Sequence, residues 1–104
     1  MNANQMKTIE TITQSARLNR YYASNYQRAA ASRKLDGRMF ATIAEQQAFF
    51  SRRAAQASKS LRADLLDLRG LFVAQLRAAK NNIDEQEIIK AQIDAITSEL
   101  KPAP

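Results

Sequence analysis

The chain has 104 residues, 45% of them apolar, with two Gly, two Pro and neither Cys nor His. That length suits one domain with one core; the missing Cys removes disulfides, thiolate metal sites and Cys nucleophiles, and the missing His removes the commonest general base and metal ligand. The net charge of +6 is split unevenly: residues 1–63 hold eleven Lys and Arg against Glu10, Asp36 and Glu45, whereas residues 64–104 hold five against seven acids.

Frequent Ala, Gln, Arg and Leu with almost no Val favour helix over strand, and no stretch alternates apolar and polar residues as a strand does. The chain is expected to be all-α. No window approaches the roughly 18 uncharged apolar residues of a membrane span, and the start lacks the layout of a secretory signal, so a cytoplasmic protein without a transmembrane segment is expected.

Helix 1 is predicted over about residues 5–34, ending at Lys34-Leu35-Asp36-Gly37, where Gly37 reads as a left-handed cap just beyond an apolar periodic run. Its apolar half-circle carries Ile9, Ile12, Ala16, Leu18, Tyr22, Ala23, Tyr26, Ala29 and Ala30, interrupted by the polar Asn19. Helix 2 is predicted over about 38–80, because apolar or small residues recur every eleven positions, a spacing that keeps a stripe on one side of a nearly straight helix. The tracks are Met39/Phe50/Leu61/Phe72, Ile43/Ala54/Leu65/Leu76 and Gln46/Ala57/Leu68/Ala79, and they stay in phase across Gly70. Helix 3 is predicted over about 83–100, opened by Asn82 and Glu85 at capping-box spacing and closed by Lys101 and Pro102 ahead of a tail at 101–104. Its stripe is Ile89, Ile93, Ile96 and Leu100.

A tight turn near residue 36 would set Tyr26 beside Gln46, Tyr22 beside Phe50 and Ala16 beside Ala57, leaving the end of helix 2 to helix 3. The expected architecture is therefore a single domain over 1–104, an antiparallel helical hairpin with a long central helix and a shorter third one. It forms an elongated three-helix bundle that is expected to oligomerise.

Few, scattered carboxylates and the absence of His and Cys argue against an enzyme, and no catalytic, cofactor or metal residue is assigned. Leu35-Asp36-Gly37 is similar to the turn of the Trp-x-Gly family of secreted helical hairpins, but Leu35 stands where that family has Trp and no Tyr follows Asn81, so its motif is not met. Two surface features remain. A basic ridge of Arg52, Lys59, Arg62, Arg69 and Arg77, joined by Arg17, Arg20 and Arg28 of helix 1, could lie along phosphates; the plainer account is a solvated face, with Asp84, Glu85 and Glu87 neutralising Arg77 and Lys80. The second is the segment 65–76, where Leu65, Leu66, Leu71, Phe72, Val73 and Leu76 surround helix 2 on nearly every side, more than helix 3 can cover. Phe49 and Tyr21 lie off their stripes and read as further contact residues. The expected function is a non-enzymatic assembly or adaptor protein acting through helix–helix association with a second copy or a helical partner. The alternative is a polyanion-binding module that takes nucleic acid on the ridge.

Overall fold

The computed structural model describes residues 3–101, and all their regular structure is helical: α1 (Ala3–Ala31), α2 (Ile43–Ala78) and α3 (Ile83–Leu100). Helix α2 runs through Gly70 without a break, and no described residue, Gly included, has a positive φ. The eleven-residue phase is realised in burial, since Gln46, Ala57, Leu68 and Ala79 are all buried. Ala54 and Leu65 of the neighbouring track are buried with them. Met39 departs from its track: it lies ahead of the helix and is 67% exposed.

The connection between α1 and α2 differs from the expected tight turn. Helix α1 stops at Ala31, α2 starts at Ile43, and Gly37 is not a left-handed cap. The reason is a set of competing hydrogen bonds. Ser32 Oγ accepts from Lys34 N, Asp36 O accepts from Met39 N and Phe40 N, and Asp36 Oδ1 accepts from Arg38 N, so residues 32–40 are held in local turns. Gln46 completes the arrangement from α2. Its Oε1 accepts from Asp36 N at 2.8 Å and its Nε2 donates to Lys34 O at 2.9 Å, supplying partners that further helical turns would otherwise give. Thr42 then opens α2, its Oγ1 accepting from Glu45 N at 3.1 Å.

The second connection follows the sequence closely. Asn82 Oδ1 accepts from Glu85 N at 3.0 Å as the cap of α3, and Gln86 Nε2 donates back to Ala79 O at 2.6 Å, satisfying a carbonyl at the end of α2. Lys101 N bonds Ser98 O at the other end, while Pro102 and the rest of the expected tail lie outside the described residues.

Packing gathers the chain into two units, Met1–Ala16 with Arg62–Pro104, and Arg17–Leu61. In the second, Tyr26 rather than Tyr22 stacks on Phe50, with ring centroids 6.1 Å apart. The longer connection moves the pairing by one turn. In the first, Ser15 Oγ donates to Asp64 Oδ2 at 2.7 Å, and Met6 and Ile9 line one groove with Phe72, so α1 reaches the part of α2 expected to be left to α3.

Candidate interaction surface

In the unit formed by Met1–Ala16 and Arg62–Pro104, α1 and α3 both lie on the leucine-rich end of α2. Leu65, Leu68, Ala79 and Ile89 form its buried centre, and Arg62 Nη1 donates to Leu100 O at 3.1 Å, fixing the end of α3 beside α2. Leu65 is therefore a core residue of the chain itself, 4% exposed, and is not available to a partner. Leu71, Phe72, Val73 and Leu76 are half-buried, and Leu66 remains 41% exposed. Two helices cover two sides of the apolar segment, not one. What stays open is narrower than the sequence suggests.

The open part has two features. The first is a row down one flank of α2: Arg62, Leu66, Arg69, Val73 and Arg77, spaced by four, three, four and four residues, which keeps them on one helical face; Arg62, Leu66 and Arg77 are exposed and Arg69 and Val73 half-buried. Basic and apolar side chains alternate along it. Among the described residues, Arg77 and Lys80 form no ion pair with Asp84, Glu85 or Glu87, so the neutralisation expected across the turn is not realised. The second is an apolar groove of about 380 Å³ between α1 and α3, with Phe72 of α2 lining it. Met6 and Ile88 stand at its opening, 51% and 64% exposed. Its ten lining residues include two carboxylates, Glu10 and Glu85, and neither Lys nor Arg. Sequence reasoning missed Met6, Glu10, Glu85 and Ile88 as surface determinants. Ile88 carried a signal, since it is a large apolar residue off the stripe of α3.

In the unit Arg17–Leu61, Phe40, Phe49 and Phe50 form a three-ring cluster with centroids 5.3–5.7 Å apart, extended through Tyr26 to Tyr22. Phe49, expected to be free for a partner, packs in that cluster with the Arg53 guanidinium 5.3 Å from its ring centre. Tyr21 is 62% exposed as expected. Leu18 and Tyr22, assigned to the inner face of helix 1, are instead 55% and 43% exposed. The inner face centres on Ala16 and Ala23, and Leu18 lies about 160° round the helix from Ala16. Of the basic set in this unit, Arg17, Arg20, Arg28, Arg52 and Lys59 are all exposed, with Arg28 Nη2 donating to Asn25 Oδ1 at 2.6 Å.

No group of three or more acidic side chains among the described residues is placed to hold a metal ion, and no described helix is long and apolar enough to cross a membrane. The fold class is thus an all-α, three-helix protein with amphipathic surface features. Comparison with protein-family models, with curated proteins and with solved structures finds no match.

Proposed function

We infer that this chain is a non-enzymatic helical assembly protein of the cytoplasm, which associates with another helical surface through the unit containing the end of α2. The observation that supports the reading is the exposure of Met6, Leu66 and Ile88, large apolar side chains left open on a unit whose core is already filled by Leu65, Leu68 and Ile89. Met6 and Ile88 stand beside an apolar groove and Leu66 on a separate flank of α2, and exposed apolar side chains next to a concave apolar surface are characteristic of protein interfaces.

The test is the mass of the purified chain in solution across micromolar concentrations. Self-association, or a stable complex with a helical partner, is expected. Leu66→Glu should abolish it while leaving the helical circular dichroism intact, because Leu66 is already partly in water. Leu65→Glu should unfold the chain instead, since a charge there is buried without a partner. A monomer with no partner would sink the reading.

The exposed basic residues favour a second reading, polyanion binding. It predicts association with duplex or single-stranded DNA that weakens steeply with salt, because each neutralised phosphate releases counterions. Replacing Arg52 and Lys59 together should reduce the salt slope with little effect on folding, both being exposed. No binding at low salt excludes it.

A further inference from the structure

We propose that the partner is a second copy of this chain, and that the basic row of α2 in one copy docks on the acidic, apolar groove between α1 and α3 of the other. The proposal rests on the assembly reading above and names its partner.

Charge complementarity carries the argument. The chain has 16 Lys and Arg against 10 Asp and Glu, so a surface feature drawn without bias would more often be basic. The groove is the opposite: its charged residues are Glu10 and Glu85, set around Met6, Ile9, Phe72 and Ile88. Such a groove selects a helix that presents apolar side chains flanked by cations. The same unit displays that pattern. Leu66 and Val73, seven residues apart, lie on one line of α2, and Arg62, Arg69 and Arg77 alternate with them along the same face. Leu66 and Val73 supply the apolar contacts, and the guanidinium groups reach Glu10 and Glu85 on the groove walls. Apolar burial and charge pairing then fix the same register, which a polyanion on the row would not do. The groove and the row involve different residues, so the contact pairs unlike surfaces of two identical chains.

Charge reversal with mixing tests this. One variant carries Glu10→Lys and Glu85→Lys, the other Arg69→Glu and Arg77→Glu; Arg62 is kept because it holds the end of α3. Sedimentation velocity of the full chain should show self-association weakened about tenfold or more in each variant alone, because like charges now meet. An equimolar mixture of the two should regain it. Circular dichroism checks folding, and if either double variant loses helix, Ile88→Lys at a site 64% exposed is used as the groove variant. It should weaken association as well. A wild-type chain that stays monomeric overturns this proposal, and the assembly reading falls with it only if the chain binds no helical partner either. A wild type that assembles while all the variants assemble unchanged overturns the proposal alone, as does a mixture that fails to recover association after both variants have lost it.

Discussion

Gln46 is a polar side chain buried at 3% exposure, and both ends of its amide are used, one on Asp36 N and one on Lys34 O. It ties the connecting segment to α2. Gln46→Leu keeps the volume but strands a backbone donor and an acceptor, so it should destabilise the fold by about 1–3 kcal/mol, read as a lower denaturation midpoint with unchanged m-value. Gln47→Ala is the control, because its bond to Ser32 O is long at 3.4 Å, and it should change stability far less. Gly70 is the opposite case. It sits inside α2 with an ordinary helical backbone, and a Cβ built there meets nothing within 4 Å. Gly70→Ala should therefore raise stability by about 0.5–1 kcal/mol, seen as a higher thermal midpoint; a lowered midpoint would contradict an unbroken helix.

At the scale of elements, the ends of the helices are held by different means. Helix α3 is opened by its own cap, so Asn82→Ala should cost about 1 kcal/mol while Asn82→Asp should be tolerated, the carboxylate favouring a helix N-terminus. Chemical denaturation of the two variants separates these outcomes. The end of α1 depends instead on groups distant in sequence. Lys34 N bonds Ser32 Oγ in place of a helical carbonyl, and Gln46 of α2 takes Asp36 N and Lys34 O, so a helix expected to run to residue 34 stops at Ala31. Amphipathic spacing located Ala16 and Ala23 on the inner face of α1 but placed Leu18 and Tyr22 there too. A half-circle drawn around small residues is too wide: helices meeting through Ala approach closely and bury a narrower strip.

For the whole molecule, association and stability are linked. If folded chains assemble, mass action stabilises the folded state, and the thermal midpoint should rise as protein concentration increases; a midpoint independent of concentration across the micromolar range would speak against assembly. Leu66→Glu should abolish that dependence without lowering the midpoint of the dilute chain.

The sequence by itself determined what each helix needs from its own axis. The phase of Gln46, Ala57, Leu68 and Ala79, the passage of α2 through Gly70, and the Asn82 cap all follow from residue spacing within one helix, where geometry repeats regularly. Tertiary structure decided what one helix does to another: the eleven-residue connection, the pairing of Tyr26 with Phe50, the enclosure of Leu65, and the groove that sets Glu10 beside Ile88. These depend on hydrogen bonds and packing between residues far apart in the chain, and periodicity along one helix carries no information about which partner covers its face or in which register.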